Sequence, residues 1–95
     1  MAGPPIMRIV DASTQAIAVS GTSAQSAVIS GSTNYVRLLA TTMCHVRVGS
    51  NPTATTSNMP LAPFVPEYFV VPSGTKIAVI QNSSSGTLYV TEVTT

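Results

Sequence analysis

Two segments, 35–40 and 43–48, divide their side chains between two faces with a period of two. In 43–48, Cys44, Val46 and Val48 fall on one face and Met43, His45 and Arg47 on the other, the pattern of a half-buried strand. In 35–40, Val36, Leu38 and Ala40 oppose Tyr35, Arg37 and Leu39, and this second face is not very polar. Runs rich in Val, Ile, Thr and Tyr at 67–71, 75–81 and 87–93, with shorter ones at 6–10, 15–19 and 25–29, predict about eight strands in all. Turn residues separate them: Gly21, Gly31, the Gly-Ser-Asn-Pro at 49–52, the Pro-Ser-Gly at 72–74 and the Asn-Ser-Ser-Ser-Gly at 82–86. No window between these breakers is long enough for a sizeable amphipathic helix. The expected fold is therefore all-β, a small antiparallel β-sandwich or jelly-roll-like barrel of short strands.

Two stretches depart from simple alternation. Residues 76–80 are apolar on both faces beyond Lys76, so both faces need a cover, which either a central place in a two-layer sandwich or another subunit supplies. Residues 49–66 contain four prolines and no convincing period. Proline cannot donate to a strand ladder, so this segment reads as a long loop or extended arm. Its second half, with Met59, Leu61, Phe64 and Val65, is apolar for a loop, and it either folds back over an open end of the sandwich or docks on a partner. Residues 1–10 read as an N-terminal arm and first strand, with Pro4, Pro5, Ile6 and Met7 placed to lie along a neighbour or extend a sheet edge. Residues 11–95 then form one β-sandwich domain that includes the Pro-rich loop at 49–66.

Composition turns this fold toward assembly. Only 7% of the 95 residues are charged and the net charge is +1, whereas 25 are Ser or Thr, so hydroxyls carry solubility and charge repulsion opposes self-association weakly. A chain this short buries only about 60–65% of its unfolded surface and is stabilised modestly by its own core. Homo-oligomers are expected. Arg8, Arg37, Arg47 and Lys76 form no basic stripe, so nucleic acid is not an expected partner. Prolines interrupt the N-terminal segment where a signal peptide needs a continuous apolar core, and no apolar run nears the roughly 20 residues that span a bilayer. The expected site of synthesis is a cytoplasm, with no membrane association, and the sequon at Asn82 has meaning only in a glycosylating secretory route.

Chemistry is sparse. The single Cys44 excludes a disulfide framework and reads as a small buried hydrophobe. Cys44 and His45 are adjacent on an expected strand and point to opposite faces, so they cannot form a nucleophile–base dyad with each other, and His45 reads as a surface residue. Asp11, Glu67 and Glu92 are too few and too scattered for a carboxylate pair, a calcium cage or, with one His and one Cys, a transition-metal site. Glu67 is expected to make an ion pair or a capping hydrogen bond with Arg37, Arg47 or Lys76. No enzyme activity and no cofactor are expected. A sugar-binding module would need aromatic platforms, and for most of Tyr35, Phe64, Tyr68, Phe69 and Tyr89 core packing is the expected role.

The segments Val-Arg-Leu-Leu-Ala-Thr-Thr-Met-Cys-His-Val-Arg-Val-Gly-Ser-Asn-Pro-Thr-Ala-Thr (36–55), Val-Pro-Glu-Tyr-Phe-Val-Val-Pro-Ser-Gly-Thr-Lys-Ile-Ala-Val-Ile-Gln (65–81) and Gly-Thr-Leu-Tyr-Val-Thr-Glu (86–92) resemble small β-rich virion structural proteins of tailed bacteriophages. The resemblance covers most of residues 36–93 and none of the first 35. It implies a capsid decoration (cement) protein, or a minor head or tail component, made in the host cytoplasm and located on the virion. Such a protein stabilises a shell by burying surface across capsomer seams, commonly as a trimer, with itself and the major capsid protein as partners. The interface residues expected on this reading are Pro4, Pro5, Ile6, Met7, Met59, Leu61, Phe64 and Val65. The alternative expectation is a head- or tail-attached module that binds host-surface carbohydrate.

Overall fold

A computed structural model describes residues 8–29 and 35–94. Their strands are β1 (Arg8–Ile9), β2 (Gln15–Val19), β3 (Ala24–Gln25), β4 (Tyr35–Ala40), β5 (Cys44–Gly49), β6 (Met59–Leu61), β7 (Glu67–Val70), β8 (Lys76–Gln81) and β9 (Gly86–Thr94). Four antiparallel pairs nest inside one another: β2 with β9, β3 with β8, β4 with β7 and β5 with β6. Successive pairs fall in alternate sheets, and the pairings β4–β9 and β5–β8 complete each sheet. The resulting orders, β2-β9-β4-β7 and β3-β8-β5-β6, are those of a jelly roll, a long hairpin rolled into a two-sheet sandwich. Strand β1 pairs with the C-terminal end of β9, on the same side as β2.

The alternation read from the sequence explains the core. Val36, Leu38 and Ala40 of β4 face Cys44 and Val46 of β5, joined by Ile17, Val19, Leu61, Ile77, Val79, Leu88 and Val90, all buried. Side-chain hydroxyls stand in for ladder partners where strands break. Ser13 Oγ donates to Glu92 O (3.2 Å) and accepts from Glu92 N–H (3.1 Å) beside Ala12, whose φ of 57° breaks β1 from β2. Ser26 Oγ accepts from Ile77 N–H at 2.9 Å, and Thr41 Oγ1 accepts from Thr87 N–H at 2.9 Å. Several of the Ser and Thr residues therefore satisfy buried or half-buried backbone groups, as well as supplying a neutral surface. The Thr41–Thr42 turn leaves no room beyond hydrogen at Gly86, where a Cβ would lie 2.6 Å from Thr41 Oγ1.

Three expectations change. The segment 49–66 contains a strand, β6, hidden from the pattern because Pro60 sits in it; an edge strand tolerates proline since its missing N–H removes no central ladder bond. The apolar run in β8 is covered on both sides by its own chain. Ile77 and Val79 face the core, while the loop over 50–58 crosses the outer face above Ala78, held where Gln25 Nε2 donates to Pro52 O (2.7 Å) and Arg47 Nη1 to Thr53 O (3.4 Å). His45, expected at the surface, is buried beneath the same loop, with Nδ1 3.0 Å from Asn58 O and Nε2 3.0 Å from Asn82 Oδ1.

Candidate interaction surface

Directly opposed residues in antiparallel strands share a face, so register alone assembles the outer surface of the β1/β2-β9-β4-β7 sheet. One row runs Ile9, Val93, Tyr35, Val70; the next runs Thr91, Arg37, Tyr68; a third runs Ala16, Tyr89, Leu39. All three tyrosines of the chain lie on this one face. Ile9 is 75% exposed, Val70 69% and Tyr68 51%, and Tyr35 and Tyr89 are exposed too. The expectation that most aromatic residues pack in the core is thus overturned: only Phe69, registered opposite Val36, packs against it.

Arg37 is the one charged residue within these rows. It lines a recess of about 350 Å³ with Ile9, Thr14, Tyr68, Thr91 and Val93. Val93 is buried and floors it, and the Thr14 and Thr91 hydroxyls are 2.9 Å apart. Two hydroxyls joined by one hydrogen bond use one O–H, leaving the other to donate elsewhere. The recess is therefore apolar at its base and rich in donors at its rim.

The other interface expectations divide. Phe64 is 70% exposed and Met59 and Val65 are exposed, but Leu61 is 1% exposed, registered against Cys44 in the core, and is unavailable to a partner. Phe64 has a left-handed φ of 59°, an outlier for a bulky residue, held by its N–H bond to Ala40 O (2.8 Å). Pro63 and Pro66 flank the exposed Phe64-Val65 pair. Met59 borders an apolar cleft of about 300 Å³ at the open seam between the sheets, together with Val48, Val70 and Pro72. Pro4, Pro5, Ile6 and Met7 lie outside the described residues.

The expected pairing of Glu67 with Arg37, Arg47 or Lys76 is not formed among the described residues. Glu67 registers with Leu38 on the core-facing side of β7, Arg37 registers with Tyr68 on the opposite side, and Arg47 lies on the other sheet, bonded to Thr53 O.

No family model, curated protein or solved structure matches this chain. Cys44 is in the core while His45 points out under the loop, so the two are on opposite sides of β5. Among the described residues no three His, Cys, Asp or Glu side chains converge, and no helix is long and apolar enough to cross a membrane.

Desolvation pushes the Cys44 thiol up to about 11 from 9.0. Folded protein is therefore expected to resist a thiol reagent at pH 8, where the unfolded chain reacts quickly; rapid labelling of native protein contradicts the burial. Above pH 9 the unfolded chain loses the proton first, so stability is full below 9 and falls until about 11, by roughly 2–3 kcal/mol, as denaturant titrations at both ends of that window will register.

Proposed function

We propose that this chain is a non-enzymatic structural protein of a tailed-phage virion, a capsid decoration (cement) protein that binds across capsomer surfaces as a homo-oligomer, with a trimer favoured. Its partners on this reading are itself, the major capsid protein or other virion proteins, and its location is the capsid surface. The observation that supports it best is the exposed outer face of the larger sheet. Protein interfaces are enriched in Tyr and Arg and depleted of Lys, Glu and Asp. The rows of this face hold Tyr35, Tyr68, Tyr89 and Arg37 among aliphatic residues and Thr91, with no Lys, Glu or Asp. A ring fits better than a two-fold dimer because the chain presents two unlike apolar patches, the flat face and the Phe64-Val65 projection; heterologous contacts join unlike patches, and those whose rotation closes form rings.

The same three tyrosines also favour a second reading, a module that binds host-surface carbohydrate on an aromatic platform beside the Arg37 donors. Jelly rolls serve both viral capsids and lectins, so the fold does not choose between the two. Cosedimentation with empty phage heads tests the first reading, which expects saturable binding that survives free sugars. Absence of head binding, together with a glycan-array signal that is lost on Tyr35→Ser or Tyr68→Ser, replaces it with the second.

A further inference from the structure

We infer that Glu67 of one copy pairs with Arg37 of the next, so that the ion pair the chain cannot make internally is the contact that orients its oligomer. The inference rests on the self-association proposed above. Both side chains lack a partner among the described residues, although their strands are hydrogen-bonded neighbours; the pleat sends them to opposite sides of the sheet. Each carries what the other lacks. The Arg37 recess offers a single guanidinium, a spare hydroxyl donor from the Thr14–Thr91 pair and the apolar Ile9 and Val93. One cation over an apolar floor suits a single carboxylate on an apolar stem, and the planar guanidinium meets a carboxylate through two parallel hydrogen bonds.

The segment around Glu67 has the matching composition. Phe64 and Val65 project beside it, Pro63 and Pro66 stiffen the approach, and Glu67 itself is half-buried at the free edge of the sheet. A rigid apolar pair next to a carboxylate therefore meets an apolar recess next to a guanidinium, with the two halves on different sides of β7. Only a second copy brings them together. The other acids fit less well. Asp11 lies in the turn between Ile9 and Thr14, both of which line the recess, so it belongs to the receiving side, and Glu92 is buried within its own chain.

Sedimentation of the full chain with Arg37→Glu, Glu67→Arg and the double exchange tests this, with circular dichroism confirming that each variant is folded. Each single reversal is expected to weaken self-association about tenfold or more and the double exchange to recover most of it, while Lys76→Gln, on β8 of the other sheet, leaves it unchanged. Arg37→Gln and Glu67→Gln, which keep size and hydrogen bonding, are expected to weaken it in the same direction if a reversal fails to fold. An oligomer indifferent to Glu67→Arg, or a double exchange no stronger than the singles, overturns the pairing while leaving self-association standing. A natural-sequence chain that never associates overturns both.

Discussion

Replacing Tyr68 with serine and Val70 with lysine is expected to turn the protein into a monomer without unfolding it. Both residues lie on β7, at the edge of the larger sheet, with their side chains on its outer face. At 51% and 69% exposed, they contribute little to the isolated fold, and surface changes of this kind usually alter stability by less than about 0.5 kcal/mol. In an interface the same positions are buried, and central aromatic anchors there cost about 2 kcal/mol or more when removed. Valine to lysine adds an uncompensated charge to an apolar row. Two such losses weaken association by about a thousandfold. Sedimentation velocity reads the change in mass, and a melting curve within a few degrees of the parent separates lost association from lost folding. An unchanged mass with unchanged melting places the interface elsewhere.

The second large effect is on the fold. Leu88→Ala is expected to cost about 2–5 kcal/mol, because Leu88 is fully buried in β9 between Ile17 of β2 and Ala40 of β4. Strand β9 joins three others in its sheet, so the cavity falls where rigid neighbours on both flanks limit collapse. A domain of this size is stable by only roughly 5–14 kcal/mol, so this one truncation removes a large part of it. Urea titration and a thermal scan of the monomeric Tyr68→Ser/Val70→Lys background read the intrinsic effect, with the melting midpoint expected to fall by more than about 10 °C. A fall of only a degree or two contradicts the assignment of Leu88 to the core. If the parent self-associates as proposed, its midpoint also rises with protein concentration, since a bound neighbour stabilises the folded form by mass action.

Period-two alternation was enough to place β4 and β5, because a half-buried strand writes its two faces directly into the sequence. It could not reveal β6, where Pro60 imitates a loop, nor the brevity of β3, where Ser26 Oγ takes over the next ladder position. The larger gap concerns the surface. Alternation separates Tyr35, Arg37 and Leu39 from Val36, Leu38 and Ala40 without saying which set meets a neighbour. The tyrosine face arises from pairings between distant segments: 35 with 70, 37 with 68 and 91, 39 with 89. The same long-range register splits Glu67 from Arg37, whose opposite charges suggested an internal pair. His45 looked exposed because its burial depends on a loop that folds back from residues 50–58. Leu61 looked like an interface residue because apolar character does not distinguish a core-facing edge strand from a docking loop.

The proposed assembly requires the outer face of the larger sheet to be covered by protein in the working molecule. Light scattering of the purified natural sequence across micromolar to millimolar concentration tests this most directly. The expected mass rises above the 9.8 kDa of one chain and levels near three times that value. A constant 9.8 kDa over the whole range, in a folded protein that also leaves empty phage heads unbound, contradicts it.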